Sequence, residues 1–435
     1  MEEINRNPHI LPNVSLLVNI KCNLMADKRK SGLSAKRSEN FPNYYCKNQR
    51  KYLIMLTGPM WELPITLGPH LSMSTTPQTK HYSFHLFHTV LMFYDLQLYY
   101  GHFQPLLSVY EQFSDLYQMP PKDMSLPLAM ASLLVYFRWN WVGVIISDED
   151  RGIQFLSELK EKMQRNILCL AFVSIITNNE AQYIKMHIKY YKQIMMSTAK
   201  VVIVYGDKDS PIHLNFILWK SVKLNRIWIS ISQFDRITVF GDFLLDSFHG
   251  TLIFSHQISE MSGFKQFMQT VHPSNYSNKI SFSRLWWIYF NCSLSSSNCK
   301  RLKNCSTTNL FEWLFRHEFG MSMSDSSYNL YNAVYAVAHS LHEMLLQQVD
   351  IQSQNTGKGL EFDSRQNIQF VNPAGDLVNM NQKAKQDTEY DIFYITYFKE
   401  YCGIKVKIGE FSGHFPNDQK LYISDEMIEW ATDFR

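Results

Sequence analysis

Between Arg138 and Gln233 short apolar runs alternate with longer segments of helical period. The runs are Trp141–Ser147 (WVGVIIS), Leu168–Ile176 (LCLAFVSII), Lys200–Asp207 (KVVIVYGD) and Ile227–Ser232 (IWISIS). None alternates cleanly between polar and apolar, so each predicts a strand buried on both faces, as in a parallel sheet. In the first intervening segment Ile153, Leu156, Leu159 and Met163 fall on one side; in the second, Ile184, Ile188, Tyr191 and Met195 do. Glu158–Lys162 and Glu161–Arg165 are spaced as i,i+4 pairs for the wet side of the first helix. Strand and helix in repetition require right-handed crossovers, and so a doubly wound α/β lobe. Such lobes bind ligands outside the carboxyl ends of their strands, which draws attention to the loops after Ser147, Asp207 and Ser232.

The flanking sequence extends this pattern. Tyr52–Thr57, Leu96–Tyr100 and Phe248–Phe254 read as strands, Leu126–Phe137 and Gly263–Val271 as helices, and residues 14–50 as mostly irregular. Ser327–Gln348 reads as a long helix with Leu330, Val334, Val337, Leu341 and Leu345 on one face, capped by Asp325 or Ser326. The period then changes to two. Ile368–Val371 and Leu377–Asn379 flank a turn at Asn372–Asp376, and Tyr390–Phe398 with Ile404–Ile408 forms a second hairpin-like pair. A βα chain ending in hairpins predicts two lobes joined by several crossings.

The chain has 435 residues, enough for two or three domains, and a formal charge of +3, which implies no polyanion and no nucleic-acid partner. The basic cluster Lys28-Arg29-Lys30 with Lys36-Arg37 has no interleaved aromatics and reads as a solvated loop. Of seven cysteines, Cys292, Cys299 and Cys305 share the polar loop 291–306. That clustering suits a disulfide in an oxidising compartment or a metal site, although the spacing lacks the close pairs of a zinc knuckle. N-x-S sequons at Asn13, Asn275, Asn291 and Asn304 agree with an extracellular setting, and two of them lie in the cysteine loop. The N-terminus opens with two glutamates and has no signal-peptide pattern, and no segment reads as a transmembrane helix. Extracellular features without a secretion signal imply an internal piece of a longer protein or an incomplete gene model.

Motifs for chemistry are largely missing. Neither G-x-G-x-x-G after a strand, nor the P-loop pattern, nor G-x-S-x-G is present, so no cofactor and no enzyme activity are expected. His342-Glu343 fails as a metalloprotease motif because Leu346 stands at the second histidine's position. His81, His85 and His88 share a helix face if helical, but no acidic residues are at hand to orient the rings. His339 and His342, one turn apart on the long helix, read as packing residues, as do the tryptophans. Asp148-Glu149-Asp150 follows a strand; acid–base work is the functional reading, and capping the helix near Gly152 the structural one.

Several long segments carry a family resemblance: FPNYYCKNQRK (41–51), LTGPMWE (56–62), FSDLYQMPPKD (113–123), FRWNWVGVIISDEDRGIQFLSEL (137–159), DSFHGTLIF (246–254), RLWWIYFNCS (284–293), SYNLYNAVYAVAHSLHEMLLQQ (327–348), NIQFVNPAGDLVNMNQK (367–383) and MIEWAT (427–432). In these the chain resembles the ligand-binding ectodomain of vomeronasal type-2 receptors, pheromone receptors of class C G-protein-coupled type. The resemblance implies a bilobed periplasmic-binding-protein-like type I fold of two doubly wound lobes that close on a ligand. It implies a plasma-membrane parent protein, a dimer through the first lobe, and a G protein engaged only by a seven-helix region beyond this sequence. The corresponding division is 1–50 as a partial start of lobe one and 51–137 as lobe one with an insert at 72–91. Residues 138–254 are the lobe-two core, 255–366 the return with the cysteine loop and long helix, and 367–435 the closing strands.

The family's contact positions fall at Glu62, Gly101, Phe103, Asp123, Arg151 and Ser232, with Gln233 beside the last. Only Asp123 keeps the residue type of glutamate-binding relatives, so the resemblance implies a peptide, protein or other amino-acid-like cue. On this reading Arg151 holds an acidic group of the cue and Asp123, from the first lobe, an amine. Two alternatives are a soluble secreted binding protein of the same fold and an α/β enzyme acting at Asp148–Asp150.

Overall fold

The four apolar runs are strands, and they lie side by side in one eight-stranded sheet. The computed structural model describes residues 1–12, 14–16, 55–58, 97–105, 116–177, 180–206, 226–232, 250–261, 263–264, 266–267, 292–293, 303–304, 323–353, 369–380, 387–398, 402–416, 419–428 and 430. The chain divides into two units. Unit 1 comprises Met1–Pro120, Asn329–Asn372 and Leu377–Ala384; unit 2 comprises Pro121–Tyr328, Pro373–Asp376 and Lys385–Arg435.

Unit 1 holds helix α1 (Glu2–Arg6) and three strands, β1 (Met55–Thr57), β2 (Gln97–Tyr99) and β3 (Leu116–Gln118), which form a parallel sheet in the order β1-β2-β3. Its core gathers Ile4, Leu11, Leu98, Tyr117 and Met119 with Ala333, Tyr335 and Ala336 of the long helix.

Unit 2 opens with α2 (Leu126–Tyr136), then β4 (Trp141–Ser147), α3 (Asp150–Arg165), β5 (Cys169–Ile176), α4 (Glu180–Met196), β6 (Val201–Tyr205), β7 (Ile227–Ile231) and β8 (Thr251–His256). Strands β5, β4, β6, β7 and β8 are parallel neighbours in that spatial order. Strand alternating with helix gives the doubly wound arrangement the period predicted. Strands β4, β6 and β7 are buried almost throughout, as strands covered on both faces must be. Strand β5 is only partly buried, because it ends the sheet.

The chain then forms the short parallel pair β9 (Cys292–Ser293) and β10 (Lys303–Asn304), the 29-residue helix α5 (Asp325–Ser353), and the hairpin β11 (Gln369–Val371) and β12 (Leu377–Asn379). Strand β13 (Tyr390–Phe398) pairs antiparallel with β8, β14 (Cys402–Phe411) antiparallel with β13, and β15 (Leu421–Ile423) antiparallel with β14, completing the large sheet. The second hairpin therefore extends the sheet of unit 2. One boundary between the units falls at Pro120/Pro121, so Asp123 and α2 share a unit with Arg151.

Helix faces differ from expectation in a consistent way. In α3 the buried residues are Arg151, Gly152, Phe155, Leu156, Leu159 and Met163, while Ile153 is 44% exposed. In α4 Tyr190 and Ile194 are buried, whereas Ile188 and Met195 face solvent. The wet side of α3 carries the Glu161–Arg165 pair; Glu158 instead accepts a hydrogen bond from Gln154 at 2.9 Å, and Lys162 lies 3.7 Å from Glu161. On α5 the deepest positions are small or polar: Asn332, Ala333, Ala336 and Ser340. Val334, Val337, Leu341 and Leu345 are half-buried beside them, and Leu330 is exposed. Small residues let this helix approach its neighbours closely, which the apolar stripe alone does not reveal. His339 stacks on Phe370 with centroids 4.6 Å apart, and His342 Nδ1 accepts the Leu11 N–H at 3.3 Å, so both act as packing residues.

Two helices of unit 2 end on left-handed residues that are not glycine. After α2, Arg138 has φ 56°, with Arg138 N–H bonded to Val135 O and Trp139 N–H to Leu134 O. After α3, Ile167 has φ 58°, with Ile167 N–H bonded to Gln164 O and Leu168 N–H to Met163 O. These are Schellman-type ends that satisfy the last carbonyls at the cost of a strained backbone.

Candidate functional site

At its carboxyl end, the parallel sheet of unit 2 carries a strip of polar groups. Strand β4 ends at Ser147, and α3 starts so close behind it that a Cβ on Gly152 would stand 2.2 Å from Ser147 O. Glycine is required there, and the tight turn fixes Arg151, 9% exposed, over the sheet's edge. Arg151 Nη2 donates to Asp123 Oδ2 at 2.8 Å and to the Tyr205 hydroxyl at 3.0 Å. The guanidinium also lies 5.7 Å from the Tyr205 ring centroid, and Phe155 stacks on that ring at 3.9 Å. Tyr205 is the last residue of β6, so one strand end and one helix start hold the cation in place.

Tyr390, at the start of β13, is the next member. Its side chain is buried and its hydroxyl has no hydrogen-bond partner among the described residues. Ser125 is its close neighbour, but Ser125 Oγ donates to Thr388 O at 3.2 Å. Burial, then the nearby Asp123 carboxylate, pushes the Tyr390 hydroxyl well above its ordinary pKa, so it is a neutral donor. Burial also raises the Asp387 carboxyl, with Lys122 opposing the shift.

The strip continues through His256 at the end of β8, whose ring centroid is 5.6 Å from that of Tyr390. His256 Nδ1 lies 3.7 Å from Asp325 Oδ2. The same carboxylate accepts from Ser232 Oγ at 2.6 Å and from Ser255 Oγ at 3.3 Å. Asp325 therefore ties the ends of β7 and β8 to the start of α5. It is the first residue of that helix and does not cap it: Ser324 Oγ accepts the Ser327 N–H at 3.4 Å.

The expected contact residues thus separate. Asp123 and Arg151 pair with each other, while Ser232 bonds to Asp325; all three lie in unit 2. Gly101 and Phe103 are buried in unit 1, where Gly101 O accepts from Asn329 Nδ2 at 3.4 Å. Glu62 and Gln233 lie outside the described residues, as do Asn13, Asn275, Asn291, Cys299, Cys305 and the histidines of the insert at 72–91. Cys292 and Asn304 fall in the β9–β10 pair, where Cys292 is in register with Lys303. Asp148, Glu149 and Asp150 form no metal-holding group among the described residues, and Glu149, at the N-cap of α3, makes no side-chain capping bond. The residues missed from sequence are Tyr205, Ser255, His256, Asp325 and Tyr390. Ser255 and His256 were findable, since they end a strand that enters the parallel sheet beside Ser232.

A polar strip at the carboxyl edge of a doubly wound sheet lies where such folds bind ligands. Residues 1–397 match the family described as "Receptor family ligand binding region", and the chain belongs to that family. It is 40% identical to mouse (Mus musculus) vomeronasal type-2 receptor 116 over 99% of this chain and 49% of that protein. It is 27% identical to mouse vomeronasal type-2 receptor 26, covering 99% of this chain and 50% of that one. Identity to the extracellular calcium-sensing receptor of Bos taurus is 25%, over 99% of this chain and 42% of the receptor. The chain spans about half the length of the vomeronasal receptors it matches. It is homologous to the extracellular ligand-binding regions of class C receptors, and no described helix is long and apolar enough to cross a membrane.

Proposed function

We propose that the chain is the extracellular ligand-binding region of a pheromone receptor of class C type, and that it binds an amino-acid-like or peptide cue at the strand-end strip of unit 2. The observation that carries this reading is the Asp123–Arg151–Tyr205 cluster together with the Ser232–Asp325 bond, polar side chains at the strand ends where doubly wound sheets bind ligands. Membership of a receptor ligand-binding family supports the same role and offers no support for catalysis. The parent protein would act at the plasma membrane, as a dimer, and signal to a G protein through a membrane region. Asn13, Asn275, Asn291 and Asn304 would carry glycans, and Cys292 would pair with Cys299 or Cys305.

The family resemblance assigns Arg151 to an acidic group of the cue and Asp123 to an amine. Because these two charges hold each other at 2.8 Å, the proposal assigns them a shared role: they shape the strip and present Tyr205. The test is a receptor joining this chain to the membrane part of vomeronasal type-2 receptor 116, displayed on cells and screened by calcium imaging against amino acids and peptides. A response abolished by Ser232→Trp at unchanged surface display is expected. A response that survives Ser232→Trp contradicts the placement of the site.

A further inference from the structure

We propose that Asp325, framed by Ser232, Ser255 and His256, is the subsite that recognises a cationic group of the ligand, an ammonium or a guanidinium. This rests on the binding role of the strip and goes beyond it by naming the residue that reads charge.

Charge balance leads to this assignment. Along the strip Arg151 is matched by Asp123 at 2.8 Å. Asp325 has no lysine or arginine within ion-pair distance among the described residues; the one base near it there is His256, whose Nδ1 lies 3.7 Å away. Asp325 is also the first residue of α5, where the helix dipole favours negative charge. Two serine hydroxyls donate to Asp325, one to each oxygen, and so fix the plane of the carboxylate while leaving lone pairs on both oxygens. Asp325 is 11% exposed and His256 15%, so the group is shielded from bulk water yet reachable. Low local dielectric strengthens attraction to a cation. Farther along the strip, the unpartnered buried hydroxyl of Tyr390 is a donor that an acceptor on the same ligand, or a water, would satisfy. The ligand chemistry that fits is therefore a cation with a hydrogen-bond acceptor close by.

A purely structural role, Asp325 stapling β7 and β8 to α5, would make the residue matter for stability but not for the charge of what binds. The experiment reads that difference. The purified full chain is titrated by calorimetry with agmatine, L-arginine and glutarate, and the same is done with Asp325→Asn, which keeps an oxygen for one serine. Agmatine and L-arginine should bind and glutarate should not, and Asp325→Asn should weaken the cations by about tenfold or more. Ser255→Ala, which leaves the charge but loosens its orientation, should weaken them a few-fold; it carries the test if Asp325→Asn fails to fold. Equal binding of the cations to wild type and Asp325→Asn overturns the inference, and so does binding of glutarate. Absence of binding by all three probes overturns it as well. The proposed function falls with it only if the receptor chimera also ignores every cue.

Discussion

Arg151 and Asp123 form a largely buried ion pair with 2.8 Å between Nη2 and Oδ2, and Nη2 also donates to the Tyr205 hydroxyl at 3.0 Å. Two residues that the sequence assigns separately to a ligand are thus each other's partner within unit 2. Removing either partner takes away the opposite charge at 2.8 Å from the one that remains, a loss of about 3–5 kcal/mol where such pairs are buried. Arg151→Ala and Asp123→Ala should each lower the urea midpoint of unit 2 strongly. The double replacement Asp123→Leu with Arg151→Met should recover most of the loss. Single variants as stable as wild type would show that the pair contributes nothing.

Ile167 offers the opposite effect. It sits in the left-handed region at φ 58° and is 87% exposed, so its side chain gains no packing to offset the backbone strain. Ile167→Gly should stabilise the chain by about 1 kcal/mol, read as a higher thermal midpoint with an unchanged far-ultraviolet spectrum. A lowered midpoint would mean that Ile167 makes contacts that matter.

Gly152 is intolerant for a steric reason. A methyl group there meets Ser147 O, a backbone atom that cannot rotate away. Gly152→Ala should push α3 off the sheet and cost about 1–3 kcal/mol, with Arg151 displaced as a result. An unchanged midpoint would mean that the turn after β4 yields freely.

His339 links stability to pH. Burial, reinforced by His342, holds its pKa below the ordinary 6.5, and Glu343 opposes the shift. The unfolded chain therefore binds a proton at a higher pH than the folded one. Stability from this site is present above the unfolded value and is lost as pH falls through 6.5 toward the folded pKa. His339→Phe keeps the stack on Phe370 and should flatten the fall in thermal midpoint between pH 7.5 and 5.5. An equally steep fall in the variant would assign the effect elsewhere.

Much of the fold was legible because hydrophobic period is a local signal. The run Trp141–Ser147 matches its strand end to end, and the others agree within one or two residues. Helix faces were harder to read. Arg151 is buried because a distant Asp123 pairs with it, and that rotates the inner face of α3 away from Ile153. No periodicity count assigns an arginine to a core. The site was legible only where a single element carries it: Ser232 follows a strand, and strand ends are where ligands bind. Asp325 stands 93 residues from Ser232, and its role as their shared acceptor arises from chain topology. At the sequence level it looks like an ordinary helix cap.

The most direct measurement is hydrogen–deuterium exchange of the purified chain, with and without the cue that activates the receptor chimera. The account predicts slower exchange at 147–152, 230–232, 254–256 and 325–328, the backbone that carries the strip. Protection absent from all four segments and confined to the β11–β12 hairpin or to β5 would contradict it.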